Sequence, residues 1–119
     1  MSDNAKKIFG QNLAFLLDRL GKSQVDVARE LDVATGTVSE WVRGHKYPRI
    51  DKMQALSELL GVRMSILIEE NGISIFTQEE IEKRLLRAFR DASPEIQAAA
   101  LTMLENSAAT KKDSEQSTI

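Results

Sequence analysis

The stretch SQVDVARELDVATGTVSEWVRG, residues 23–44, decides how the chain is read. It has the outline of two short helices meeting at a tight junction. Ser23 and Asp26 stand in capping-box spacing at the start of the first. Val27, Ala28 and Leu31 give that helix an apolar face, and Asp32 ends it. The second runs from Thr35 to Arg43, with Val38, Trp41 and Val42 on one side by i, i+3, i+4 spacing, and stops at Gly44. It opens on Ala34-Thr35-Gly36-Thr37, a weak start, because glycine in a helix costs about 1 kcal/mol against alanine. Helices this short are not stable alone. They must brace each other and their neighbours, which leaves the outward face of the second free. At about 100° per residue, Thr35, Gly36, Ser39, Glu40 and Arg43 share that face. A helix that enters the DNA major groove end-first needs a slim leading turn. In such a helix Gly36 would let backbone come close to base pairs. Thr35 and Thr37 offer a hydroxyl for a base edge or phosphate and a methyl for thymine's methyl.

Working outward, Ile8, Leu13, Leu16, Leu17 and Leu20 predict a helix over residues 4–20 that Gly21 stops. His45 to Arg49 reads as a basic loop. Ile50 to Leu60 reads as a fourth helix, with Met53, Leu56, Leu59 and Leu60 inward and Gly61 after it. A short fifth helix is expected over Met64 to Glu69. Asn71-Gly72 is either a hairpin tip or the C-terminal cap of helix five, and the cap is preferred because Glu69-Glu70 breaks strand alternation. Residues 71–76 then form a linker, with Ile73 to Phe76 read as extended. Thr77 with Glu80 spells the capping box of another helix, striped by Ile81, Leu85, Leu86 and Phe89. Ser93-Pro94 starts a last helix that carries Ile96, Ala100, Met103 and Leu104. From Thr110 the chain is polar and small, and is expected to be disordered.

The expected architecture is therefore all-α: five helices over residues 1–70, then two amphipathic helices over 77–109, with a tail over 110–119. The 42% hydrophobic and 29% charged content fits a soluble globular chain of 119 residues. No apolar run nears the roughly 20 residues of a membrane span, and MSDNAKK is not a secretory signal. A cytoplasmic location and no membrane partner are expected. With no cysteine, neither a disulfide nor a thiolate zinc site can hold the fold. Net charge is −2, but its distribution is uneven. Residues 1–63 carry ten Lys/Arg against eight Asp/Glu, and residues 64–119 carry six against ten. The front is slightly basic and the back acidic.

The ordered set SQVDVARELDVATGTVSEWVRGHKYPRIDKMQALSELLGV resembles the Cro/repressor-type helix-turn-helix family of phage and bacterial transcription regulators. The likeness covers residues 5–70. It rests on Ser23-Gln24, small Ala28 at the helix crossing, Val33 in the turn, Val38, Trp41 and Gly44, then the YPRIDK loop and ELLGV. The resemblance implies five packed helices, with the third reading the major groove of double-stranded operator DNA. It implies base contacts from Thr35, Gly36, Ser39 and Glu40. It implies phosphate contacts from Gln24, Thr37, Arg43, Lys46 and Asn12. The chain departs from the family at Asp32, where glycine is common, and at Ala34, where a serine or threonine cap is usual. Thr37 with Glu40 spells an alternative capping box that would start the helix later and leave Thr35 and Gly36 in a loop. Longer relatives carry a self-cleaving serine–lysine domain, and the residues after the fifth helix are too few for one. No autoproteolysis is expected.

Each sharp assignment has a plainer competitor. Glu40 either accepts from a cytosine amino group or pairs with Arg43 at i+3. Arg43, Lys46, Arg49 and Lys52 are read as a phosphate-binding edge rather than a solvated loop. His45, the single histidine, is read as an exposed loop residue and not a metal ligand. Trp41 is read as core, not as a base-stacking platform. Lys83, Arg84, Arg87 and Arg90, interleaved with acids, are read as a solvated face. No catalytic constellation, metal spacing or phosphate loop is present, so no enzyme, cofactor, metal or small-molecule ligand is expected.

The stripes of the last two helices must bury against something. Either they pack on the first five helices or they pair with the same helices of a second chain. The second option is preferred, because paired half-sites about one helical turn apart call for a two-fold dimer. Ile81, Leu85, Leu86, Phe89, Ile96, Ala100, Met103 and Leu104 are the expected dimer contacts. The competing function is an antitoxin-like or anti-repressor-like interaction module whose acidic back half binds another protein.

Overall fold

The computed structural model describes residues 2–117, with side chains to residue 108. Seven helices follow one another: α1 Asp3–Leu20, α2 Gln24–Leu31, α3 Thr35–Val42, α4 Ile50–Leu60, α5 Met64–Ile68, α6 Gly72–Asp91 and α7 Pro94–Ser117. No strand occurs among the described residues. No helix is long and apolar enough to cross a membrane.

Local sequence explains most helix ends. The Ser23 hydroxyl accepts from the Asp26 N–H at 3.0 Å, and Asp26 accepts from the Ser23 N–H at 3.1 Å, closing a capping box on α2. These bonds hold the Asp26 carboxyl below its ordinary pKa. Their support is therefore in place at neutral pH and fades as pH falls through that lowered value. Gly21, Asp32 and Gly61 close α1, α2 and α4 in the left-handed region, with φ of 68°, 55° and 66°. Asp32 tolerates this conformation better than most residues. Its helix end has a second support, since Lys52 Nζ donates to Leu31 O at 2.8 Å.

Two compact units divide the chain, Met1–Glu79 and Glu80–Ile119. In the first, Phe9, Leu13 and Leu16 of α1 are fully buried with Val27, Val38, Leu56 and Leu67 from the helices around them. Phe9 lies edge-on to Trp41 with ring centres 6.4 Å apart, so α3 is fastened to α1 by aromatic packing. Trp41 is 3% exposed, a core residue as expected.

The first unit extends beyond residue 70. Residues 71–76 are not an extended linker, because α6 begins at Gly72, and the Thr77–Glu80 box does not start a helix. Phe76 is 9% exposed and meets Phe15 edge-on, with ring centres 6.2 Å apart. The isoleucines that favour a strand locally are overridden by this burial. Nor is Asn71-Gly72 a hairpin tip or a left-handed cap. A Cβ at Gly72 would stand 2.0 Å from Ile66 O and 2.8 Å from Ile66 C. Glycine is needed there for close approach to α5. Gly72→Ala should lower stability by about 1–3 kcal/mol in denaturant melts, the usual effect of overpacking.

The second unit comprises α6 from Glu80 together with α7. Gln97 Nε2 donates to Phe89 O at 2.6 Å, and Ser93 Oγ accepts from the Ile96 N–H at 3.3 Å to start α7. The expected tail is helical as far as Ser117. Ala108, Ala109, Lys111, Lys112, Glu115 and Gln116 are strong helix formers and carry it on. The last two residues of that expected tail lie outside the described ones.

Candidate nucleic-acid interface

α3 sits on the first unit by its inner side. Val38 is fully buried and Trp41 nearly so, while Thr35 and Gly36 are exposed and Thr37, Ser39 and Glu40 half-buried. The helix starts at Thr35, not after Thr37, so the alternative capping box does not form. Ala34 in the cap position makes no side-chain bond. Thr35 and Gly36 therefore belong to the leading helical turn, as the first reading requires.

Gly36 separates the demands of the fold from those outside it. Nothing lies within 4 Å of where its Cβ would stand, and its φ is not positive. Each of the other five glycines has either a positive φ or a close neighbour. Gly10, for example, would bring a Cβ to 2.7 Å from Trp41 O, where α1 meets the end of α3. Packing and backbone geometry thus explain every glycine but Gly36, although a glycine in the first turn weakens its helix.

Next along the outer face, Arg43 Nη2 donates to Ser39 Oγ at 3.1 Å and to Glu40 Oε1 at 3.0 Å. His45 Nδ1 lies 3.1 Å from Glu40 Oε2. Both readings of Glu40 bear on this geometry: it pairs with Arg43, and it stands on the outer face. Gln24 is half-buried in the first turn of α2, and Arg43, Lys46 and Arg49 are exposed. Lys46 and Arg49 line a shallow groove beside α3 together with Val33, Thr37, Trp41, Tyr47 and Lys52.

Two expected phosphate contacts are differently employed. Asn12 is 2% exposed, and its Nδ2 lies 3.0, 3.1 and 2.8 Å from the carbonyl oxygens of Ile66, Leu67 and Glu69. It clamps the end of α5 to α1 and is no phosphate contact. Family position suggested the phosphate role, and only the three-dimensional path of residues 66–69 reveals the clamp. The ammonium of Lys52 is bonded to the end of α2, as described above. Their separation of 21 residues leaves no local signal for that bond.

Comparison with known proteins agrees with this geometry. A family model described as helix-turn-helix matches residues 13–67. The 26 kDa repressor protein of Escherichia phage HK022 is 32% identical over 77 residues, covering 59% of this chain. The chain spans only 33% of that repressor's length. The solution structure of the SOS-response transcriptional repressor LexA from Eubacterium rectale is 33% identical, with a TM-score of 0.55. That match covers 59% of this chain and 74% of that one. The clp gene regulator ClgR from Corynebacterium glutamicum shares the fold, with a TM-score of 0.53 at 19% identity over 71% of this chain and 88% of its own. With α2 and α3 disposed as described and the match spanning both, the chain belongs to the Cro/repressor-type helix-turn-helix family.

Proposed function

We propose that the protein is a sequence-specific double-stranded DNA-binding transcription regulator that represses by occupying a palindromic operator as a homodimer. The single observation that carries the DNA reading is Gly36, a helix-weakening residue that nothing within the chain requires. A bare leading turn on α3 suits close approach to base pairs in the major groove. In this reading Thr35, Gly36, Ser39 and Glu40 face base edges. Gln24, Thr37, Arg43, Lys46 and Arg49 face phosphates. The repressor names carried by the phage protein and the LexA structure agree with it.

Selection of bound sequences from random duplex DNA tests the proposal. A palindrome is expected, and its half-site spacing reports the dimer. Enrichment of no sequence would overturn it. Glu40→Ala should relax preference at one base pair by about 1–3 kcal/mol, measured by titrating the selected site and its variants. Lys46→Ala should weaken all sites alike and lower the salt slope by roughly one. Equal losses on every sequence from both changes would contradict this division of roles.

The homodimer is supported by the second unit. Ile81, Leu85, Leu86, Ile96, Leu101, Met103 and Leu104 are each at least 50% exposed. Leu85, Leu86, Phe89, Ile96, Ala100, Leu101 and Leu104 line one apolar groove. Contiguous apolar surface of this kind marks an interface. A second copy supplies a matching stripe, and a two-fold pair multiplies the affinity of each head through effective concentration. The 119-residue chain should sediment as a dimer at micromolar concentration, and Leu85→Asp with Leu101→Asp should sediment as a monomer. A double variant that dimerises as well as the parent would refute this assignment.

A further inference from the structure

The C-terminus of α3 closes in a Schellman turn. The His45 N–H donates to Glu40 O at 2.9 Å and the Gly44 N–H to Trp41 O at 3.1 Å, with Gly44 at φ 76°. This motif sets the residue after the glycine beside the residue five positions earlier, ordinarily as an apolar contact. Here the two residues are His45 and Glu40, and the contact is polar. His45 Nδ1 stands 3.1 Å from Glu40 Oε2. A carboxylate only accepts, so Nδ1 carries the hydrogen. The second carboxylate oxygen, Oε1, accepts from Arg43 at 3.0 Å. Glu40's side chain is 30% exposed, against 57% for each partner, so the carboxylate is the enclosed member of the trio.

The two restraints respond differently to DNA. Arg43 lies on the outer face and, under the proposed function, turns toward a phosphate. That competes with its hold on Glu40. His45 stands in the loop beyond α3, and the backbone turn fixes its place beside Glu40. We infer that His45 is a positioning residue for base recognition: it orients the Glu40 carboxylate toward one base edge without touching a base itself. The inference rests on the proposed function's reading of Glu40 as a base contact. An unrestrained glutamate samples several rotamers, and fixing one in advance lowers the ordering cost on binding. The gain falls on the matched base pair, because only there does the oriented carboxylate meet a donor.

The test uses the 119-residue chain, the selected duplex and its single-base-pair variants, titrated at constant salt. Glu40→Ala first identifies the base pair at which preference relaxes. His45→Ala should reduce discrimination at that pair by roughly three- to tenfold. Affinity for unrelated duplex should stay within about twofold, as expected when no phosphate contact is lost. His45→Asn, whose amide N–H mimics the Nδ1 donor, should restore most of the discrimination. If Glu40→Ala relaxes one pair but His45→Ala leaves it unchanged, the inference fails alone. Uniform weakening on every duplex by His45→Ala, or no recovery with His45→Asn, also overturns it. If Glu40→Ala relaxes no pair, the reading of Glu40 fails and takes the inference with it.

Discussion

Gly36→Glu should produce a protein at least as stable as the parent that binds duplex DNA roughly a hundredfold less well. The two halves of this expectation have separate causes. Within the chain, the position is open, so a side chain meets no neighbour. Replacing glycine in a helix gains up to about 1 kcal/mol in propensity. A negative charge in the first turn also complements the positive end of the helix dipole, by about 0.3–1 kcal/mol. At a DNA surface each of these features is adverse. The added side chain fills the slim leading turn, and its charge is repelled by the negative field of the DNA. Thermal melts and fluorescence-anisotropy titrations on the same preparation check both signs. A variant that melts earlier and still binds would show that Gly36 serves the fold instead.

Asn12→Asp should have the largest effect on stability, about 3–5 kcal/mol, as for an uncompensated buried charge. The amide nitrogen now faces three carbonyl oxygens within 3.1 Å. An ionised carboxyl at that place offers no donor and sets negative charge against three oxygens. For a domain of this size each kcal/mol lowers Tm by about 4–8 °C. The pH dependence supplies a signature. The introduced carboxyl has its pKa raised by folding, so the destabilisation is full at neutral pH. It is relieved as pH falls and the protonated form regains one O–H donor. Melting curves at successive pH values check this. Were Asn12 a phosphate contact, the variant would melt like the parent and lose only DNA affinity.

The five front helices were legible because each is announced within a few residues. Ser23 and Asp26 mark a start, Gly21 and Gly61 mark stops, and Val38 with Trp41 marks an inner face. The start of α6 was not legible. Ile73 and Ile75 favour a strand locally, and the helix depends on Phe76 meeting Phe15, some 60 positions earlier in the chain. Among the candidate site residues, Thr35, Gly36, Ser39, Glu40 and Arg43 are set on one face of α3 by the helix period, whereas Thr37 is not. The roles of Asn12 and Lys52 were not legible. Each satisfies backbone carbonyls on another helix, and a sequence shows a polar residue without showing which distant carbonyl it meets. Gly36 was legible for an unusual reason: it breaks a local rule that nothing else in the chain excuses.

Dimethyl sulfate footprinting of the selected duplex tests most directly whether the outer side of α3 enters the major groove. The reagent methylates guanine N7, which lies in that groove, and adenine N3, which lies in the minor one. Bound parent protein should protect guanine N7 at both half-sites and leave adenine N3 reactive there, and Gly36→Glu at the same concentration should protect neither. A fully bound complex with every guanine N7 still reactive would contradict the account.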